Sequence, residues 1–522
     1  NSPVTLSSFI IDVAAPTVAE VTAVTTPAND TTPDITFSSD EAGTLAVGGS
    51  CGSASEGAIS SGNTTITLTQ ADNSSALAEA TYSDCTLTIT DASGNSSTPV
   101  TLGSFVIDVS APSVAEVTAV VTPGNDGTPD VTISTDEAGT LALGGSCGSA
   151  SEGAISSGNT TITLTQTDNS TALAGGPYSD CTFTVTDASG NSNSPVTLSS
   201  FTIDVAAPTV AEVTAVTTPA NDTTPDVTFS SDEAGTLAVG GSCGSASEGA
   251  IGSGNTTITL TQSDNSTALA DGTYSDCTLT VTDASGNSNS PVTLSSFTVD
   301  VAAPTVAEVT AVITPANDTT PDVTLSSTEE GTLTVGGSCG SSDEGVITGG
   351  NTTITLTQAD NSTALADGDY SDCTLTVTDS GGNASNVVTL TLFTLDATSP
   401  IVVTNTGLSV SEGDSDSIIN TSLLTASDNL SNASNTTYTI VSTSANGNLR
   451  SGGSALSNGD TFTQQHIVNN DITYDHDGGE TTSDSFAFTL NDALGNINNN
   501  AGSNFIFSVT VTALNDAPST TA

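Results

Sequence analysis

The stretch LADGTYSDCTLTVTDASGN, residues 269–287, decides the fold. Cys277, Leu279 and Val281 alternate with Thr278, Thr280 and Thr282, the period of two expected of a strand with one buried face. Asp-Gly ahead of the run and Asp-Ala-Ser-Gly-Asn behind it are turn chemistry. The stretch has near-copies along the chain: its cysteine recurs at Cys85, Cys181 and Cys373, and a second series falls at Cys51, Cys147, Cys243 and Cys339, each advancing by 96 residues. Asp12, Asp108, Asp204, Asp300 and Asp396 keep the same step, as do Phe9, Phe105, Phe201, Phe297 and Phe393. Four units of 96 residues, each rich in short alternating runs, predict an all-β chain of sandwiches in tandem.

Within the first full unit the runs VAEVTAV, DITFSS, GTLAVGGSC, AISSGNTTITLT, YSDCTLTITD and VTLGSFVIDV read as six or seven strands. Leu45, Val47 and Cys51 share one parity, and Cys85, Leu87 and Ile89 share another, which places both cysteines on core-facing rows. With Cys51 ending the third strand and Cys85 starting the penultimate one, antiparallel neighbours bring them together. The expected disulfides are Cys51–Cys85, Cys147–Cys181, Cys243–Cys277 and Cys339–Cys373, with reduced buried thiols as the alternative. Each bridge closes a loop worth roughly 3 to 4 kcal/mol in the chain-entropy model. Two cysteines and no histidine per unit cannot complete a tetrahedral zinc site. Disulfides imply an oxidising, extracellular setting.

Charge narrows the partners. One Lys or Arg stands against 58 Asp and Glu, a formal net charge of -57, so nucleic acid and anionic membrane surfaces repel this chain and cations are its natural partners. Charged residues are only 11% while hydrophobic residues reach 35%, which argues for folded domains rather than an acidic disordered tail. No apolar run approaches the roughly 20 residues that span a bilayer, so direct membrane insertion is not expected. The N-terminus lacks the basic and apolar regions of a signal peptide.

LADGTYSDCTLTVTDASGN followed by SPVTLSSFTVDVAAPTV resembles the bacterial Ig-like repeats of giant surface adhesins, which typically end in a TDxxGN turn, a last strand and a Val-Asp-x-x-x-Pro linker. The resemblance covers residues 14 to about 397. Tyr82, Tyr178, Tyr274 and Tyr370 lie three residues before their cysteines, close to the spacing of two in the tyrosine corner of Ig sandwiches. The implied units are 14–109, 110–205, 206–301 and 302–397. NSPVTLSSF opens the chain and recurs at 193–201 and 289–297, where it closes a unit, so residues 1–13 read as the last strand of a preceding repeat. The alternative makes them a donor strand for an identical chain.

After Asp396 the period breaks. SEG at 411–413, NGNL at 446–449, FTQQHI at 462–467, YDHDG at 474–478 and DSFAF at 484–488 resemble the cadherin-like repeat of chondroitin sulfate proteoglycans and related bacterial surface proteins. The resemblance implies a further sandwich at 398–522, with ALNDAP at 513–518 as the start of the next linker. The whole reads as a linear tandem array of Ig-like β-sandwich domains ending in a cadherin-like sandwich.

Catalysis finds no support in the residues. The four repeats contain no His, Lys or Arg. Asp379-Ser380-Gly381 imitates an aspartic-protease triplet but stands where the other repeats carry Asp-Ala-Ser, and Gly413–Ser417 is a short acidic loop. His466 and His476 lie in motif positions where loop hydrogen bonding is expected, the latter to an adjacent carboxylate. Arg450 is expected at the surface or paired with a neighbouring Asp.

The Ig-like resemblance does imply a metal site. In such a sandwich the loop after the second strand and the loop before the last lie at the pole that receives the preceding domain. Asp12, Glu20, Glu41 and Asp91 therefore converge on one junction, and Asp108, Glu116, Glu137 and Asp187 on the next. Asp204, Glu212, Glu233 and Asp283 form the third set, and Asp300, Glu308, Glu329 and Asp379 the fourth. Oxygen ligands of this kind suit calcium. The bland reading is that Asp favours turns and keeps an exposed sandwich soluble. Thr328 departs from the pattern by replacing the Asp of the SDEAGT turn.

The expected function is a non-catalytic stalk segment of a large bacterial surface adhesin, stiffened by disulfides and calcium, whose partners are neighbouring domains of one longer chain. A self-assembling filament or matrix fibre is the second reading. Carbohydrate binding lacks an aromatic platform, since aromatic residues make up 4%.

Overall fold

The computed structural model describes residues 4, 5 and 7–515 and divides the chain into two compact units. One holds the residues up to Ala215 together with Val227–Ile258 and Cys277–Leu294. The other holds Val216–Asp226, Thr259–Asp276 and the chain from Ser295 onward. In both, short antiparallel strands form small sheets in series, a tandem array of β-sandwiches.

The first repeat shows the plan. Its strands are β1 (Val18–Thr22), β2 (Asp34–Ser39), β3 (Gly43–Gly48), β4 (Cys51–Gly52), β5 (Gly57–Ile59), β6 (Gly62–Thr67), β7 (Thr69–Gln70), β8 (Ala80–Tyr82), β9 (Thr86–Asp91), β10 (Val100–Thr101) and β11 (Phe105–Ile107). One layer is the sheet β1-β2-β6 and the other is β10-β9-β3-β5, with β4-β7 and β8-β11 as two-stranded pieces. Alternation sets the core. On β2, Ile35 and Phe37 are buried, and on β9, Leu87 and Ile89, which pair with Val47 and Leu45 of β3. Tyr82 stacks on Phe105 with ring centroids 5.2 Å apart and donates its hydroxyl to the Ala78 carbonyl at 3.0 Å, so it pins its own loop upstream.

Each of the last four sequence runs breaks into two or three strands. The run ending at Cys51 breaks because Gly49, at φ +81°, turns the chain after Gly48. Cys51 therefore does not end the third strand but opens β4, across the turn. It still reaches Cys85 immediately before β9: the two are bonded with Cα atoms 5.2 Å apart, and Cys147–Cys181, Cys243–Cys277 and Cys339–Cys373 repeat the pairing. Among the described residues no cysteine is free.

Residues 7–17 form no strand, and Phe9 and Ile11 are exposed, whereas their counterparts Phe105 and Ile107 are buried against β8. Asn1–Pro3 and Leu6 of the expected first strand, and the part of the expected linker from Asp516, lie outside the described residues.

The C-terminal domain has a different topology. Leu408–Ser411 runs parallel to Phe505–Thr512, which continues through Ser483–Asn491 and Thr437–Ser442 to Thr461–Thr463. The facing sheet orders Ser417–Ile418, Ile472–His476, Gly447–Ser451 and Ser454–Ala455. Between them lies a core rich in aromatic residues: Tyr438, Phe462, Tyr474, Phe486, Phe488 and Phe507. A short α-helix, Gln464–Val468, interrupts the strands. Its histidine is structural, since His466 Nδ1 accepts from the Thr463 amide at 3.0 Å in a capping box. Among the described residues no carboxylate is a hydrogen-bond partner of His476. Nδ1 accepts from the Gly413 and Gly478 amides at 3.1 and 3.0 Å, and Nε2 meets Thr481 Oγ1 at 2.9 Å. Backbone donors and a hydroxyl thus take the place of the expected acid at both ring nitrogens. Arg450 pairs with Asp475 at 2.5 Å.

Candidate functional site

The turns of each repeat bring carboxylates together at its entry. β2 ends in Ser39, whose hydroxyl donates to the Glu41 carbonyl at 2.7 Å, and this tight turn presents Glu41 beside the incoming chain. Asp91 closes β9 and folds the following turn onto itself: Oδ1 accepts from the Ser93 and Asn95 amides, both at 2.8 Å, and Oδ2 from the Asn95 side chain at 2.8 Å. Three ligand oxygens, one each from Asp12, Glu41 and Asp91, lie within 4.8 Å of one another. The same geometry unites Asp108, Glu137 and Asp187, then Asp204, Glu233 and Asp283, then Asp300, Glu329 and Asp379.

Asn95 and its counterparts tie the turn to the entering chain. The Asn191 side-chain amide donates to Asp108 O at 2.9 Å, Asn287 to Asp204 O at 2.9 Å and Asn383 to Asp300 O at 2.8 Å. Sequence reasoning missed these asparagines, although the TDxxGN turn carried them at constant phase. At the second junction Ser189 Oγ also donates to Asp108 Oδ2 at 2.9 Å.

The acids are held close without a counter-charge. Burial, then the carboxylates of Asp12, Asp40 and Asp91, push Glu41 above its ordinary range. Burial and the neighbouring Asp108, Asp136 and Asp187 do the same to Glu137, and burial with Asp204, Asp232 and Asp283 to Glu233. Asp91 moves the other way, held down first by the hydrogen bond from the Asn95 side chain.

Glu20, Glu116, Glu212 and Glu308 do not join the clusters, contrary to expectation. They sit on the first strand of each repeat, beyond the linker, and Glu20, Glu116 and Glu308 turn toward the loop before the last strand. Glu116 Oε2 accepts from the Ser199 amide at 2.9 Å and its hydroxyl at 2.7 Å, Glu308 Oε2 from Thr391 in the same way, and Glu20 Oε2 from the Gly103 amide at 2.9 Å. Thr328 keeps the job of the Asp it replaces. Its Oγ1 accepts from the Thr305 amide at 2.9 Å, as Asp40 Oδ1 accepts from Thr17 at 2.7 Å.

A fifth cluster, absent from the sequence reading, lies where the fourth repeat meets the C-terminal domain: Asp396, Asp428 and Asp492, again within 4.8 Å. Asp492 sits in NDALGN, residues 491–496, and repeats the Asp91 turn, with Oδ1 accepting from the Leu494 and Asn496 amides and Oδ2 from the Asn496 side chain. That same side chain donates to Asp396 O at 2.7 Å. Burial, followed by repulsion from Asp428 and Asp492, raises the Asp396 carboxyl above its usual range.

These arrangements have the composition of hard-cation sites. They offer carboxylate and carbonyl oxygens and no sulfur. Among the described residues no helix is long and apolar enough to cross a membrane.

No curated protein matches the chain. Among solved structures it is similar to α2-macroglobulin of E. coli in its native conformation, at 9% identity and a TM-score of 0.16 over 96% of this chain. It is likewise similar to Salmonella α2-macroglobulin reacted with methylamine, at 11% and 0.17 over 97%, and the chain covers 40% of each of these two proteins. Dimeric latent PorU of Porphyromonas gingivalis gives 11% and 0.15, covering 64% of this chain and 42% of that one. Scores this low decide nothing about function. Residues 400–511 do match the family model of cadherin-like domains, and this stretch is accordingly a cadherin-like domain.

Proposed function

We propose that this chain is a non-catalytic extracellular spacer, a segment of a large repetitive surface adhesin of bacterial type, whose junctions bind calcium. The units run 14–109, 110–205, 206–301 and 302–397, followed by the cadherin-like domain. The observation that carries the reading is the recurrence, at every repeat entry, of three carboxylates within 4.8 Å, one of them from the linker and two from the following domain. A solvated turn needs an Asp but has no reason to assemble three carboxylates across a junction. Disulfides and a cadherin-like domain support an extracellular setting.

Each cluster supplies part of a shell of 6–8 oxygens, completed by carbonyls or water. Bound calcium neutralises carboxylates that otherwise repel, and it ties linker to domain. Small-angle scattering with calcium and with a chelator tests the proposal. Chelation is expected to increase flexibility or change the maximum dimension while far-UV circular dichroism stays constant. Identical profiles in both conditions sink the calcium reading.

A self-assembling fibre is the second reading, favoured by the exposed apolar residues Phe9 and Ile11. Electron microscopy of the pure chain separates them, because a spacer gives isolated particles and a fibre gives continuous filaments.

A further inference from the structure

We infer that the second junction, where Asp204 leads into the third repeat, is a hinge built into the array, looser than the junction before it. The hinge requires no bound ion, so it is independent of calcium at the clusters.

The repeats are near-copies, so each serves as a control for the others. One position, advancing by 96 residues, ties the exit of a repeat to its linker. In the first repeat Glu79 Oε2 accepts from Ser110 Oγ at 2.7 Å. In the third, Asp271 Oδ1 accepts from the Val301 amide at 2.9 Å, and in the fourth, Asp367 Oδ1 accepts from the Ala397 amide at 2.7 Å. The second repeat carries Gly175 there, which has no side chain to offer. The linker registers the loss: Val205 is 55% exposed, against 45% for Val109 and 43% for Val301. The first junction has another bond that the second lacks. Ser189 Oγ donates to Asp108 Oδ2 at 2.9 Å, whereas among the described residues Ser285 Oγ makes no such bond to Asp204.

Two further differences sit at the same exit. The loop that clasps the departing strand passes through Gly124, whose amide donates to the Thr202 carbonyl at 3.1 Å and whose carbonyl accepts from the Asp204 amide at 2.8 Å. The other three repeats have Ala there, and Ala28 makes the equivalent bonds, both at 3.0 Å. Glycine gives up more conformational freedom when it is fixed, so this clasp opens at lower cost. Pro177 stands opposite Thr202, where Thr273 of the third repeat bonds Thr298 and Asp369 of the fourth accepts from Thr394. Proline offers neither a hydroxyl nor a carboxylate. The linker stays fastened on its far side, since the Asn287 side chain donates to Asp204 O at 2.9 Å, and the slack therefore lies toward the second repeat. A cleft lined by Val121, Pro123 and Gly124 on one side and Ala284, Ser285 and Gly286 on the other gives room for the tilt. Few ties, an open side and disulfide-closed bodies are what a hinge needs.

The test is pulsed electron paramagnetic resonance on the full chain, with spin labels on non-canonical residues, because all eight cysteines are in disulfides. Ala46, Ala142 and Ala238 are exposed and occupy the same position in successive repeats. The distance distribution between labels at 142 and 238 is expected to be about twofold wider than that between 46 and 142, in calcium and in chelator alike. Gly175→Asp, which installs the residue found at 271 and 367, is expected to narrow it to the width of the first pair. Glu79→Gly is expected to widen the first pair to match, whereas Glu79→Gln, which keeps an acceptor for Ser110, leaves it narrow. Equal widths in the native chain overturn the hinge, and so does a Gly175→Asp chain whose distribution stays wide. Far-UV circular dichroism is expected to stay constant throughout, and if Glu79→Gly unfolds its repeat, the native comparison and Gly175→Asp decide alone.

Discussion

At Gly145 the backbone adopts φ +77°, and a Cβ there would stand 2.0 Å from the Asp180 carbonyl oxygen, one residue before Cys181. Only glycine lets this turn press against the segment that carries the partner cysteine. Gly145→Ala is therefore expected to destabilise its repeat by roughly 2 to 4 kcal/mol, combining a forbidden φ with a backbone clash. Urea unfolding followed by circular dichroism measures it, and a loss under about 0.5 kcal/mol contradicts the argument. Thr328 offers the opposite case. Because its hydroxyl already accepts from the Thr305 amide, Thr328→Asp is expected to stay within about 0.5 kcal/mol of the native chain, whereas Thr328→Ala loses about 1 kcal/mol. Read as a sequence, Thr328 looks like a lost acid. In the structure the position holds a strand end, which either side chain can do.

At the scale of elements, alternation made the strands legible but not their breaks. AISSGNTTITLT reads as one run, yet Gly62 at φ +108° divides Gly57–Ile59 from Gly62–Thr67 and sends the two to different sheets. A glycine in an apolar run is ambiguous between a weak strand and a corner, and only the packing decides. The turn after β7 shows how firmly such corners are held. The Ser75 hydroxyl donates to Asp72 Oδ2, and Oδ1 accepts from the Ser75 and Ser74 amides at 2.7 and 2.9 Å, which together bring the carboxyl down to about 2 from 3.8. Asp168, Asp264 and Asp360 repeat it, each at about 2. A depressed acid contributes stability that is fully present above its unfolded value of 3.8 and is lost as pH falls through about 2. Thermal midpoints of the repeats are thus expected to fall between pH 4 and 2, and replacing the four residues by Asn should flatten that fall. An unaltered slope in the fourfold variant counts against the turns as its source. Disulfides give a second prediction at this scale. Each closes a separation of 34 residues, worth roughly 3 to 4 kcal/mol, while the cadherin-like domain has none. Calorimetry with and without reductant should show the repeat transition falling and the C-terminal transition staying in place. A shift of both transitions would contradict independent closure.

Over the whole molecule, periodicity made the array and most of each junction legible: a step of 96 residues placed Asp108, Glu137 and Asp187 in phase, and topology brought them together. Glu116 kept the same phase and was misread, because phase does not show which way a strand side chain turns. Asp428 and Asp492 were missed for the converse reason, since they lie outside the period, although NDALGN spelled the junction turn. The net charge of -57, with one Arg, sets the last expectation. Charges on different repeats interact over distances that salt screens readily, the Debye length falling from about 30 Å at 0.01 M to about 3 Å at 1 M. Oxygens within 4.8 Å of one another are screened far less, because no diffuse ion cloud fits between them. Monovalent salt should therefore raise the midpoint of the chelated chain only in part, and micromolar to millimolar calcium should raise it further at every salt concentration, with an affinity that weakens as salt increases. Calorimetry across a sodium chloride series, with and without calcium, separates the two terms. If 1 M sodium chloride reproduces the whole effect of calcium, the junctions hold a diffuse ion atmosphere rather than bound ions, because a coordinated ion contributes ligand bonds that screening cannot supply.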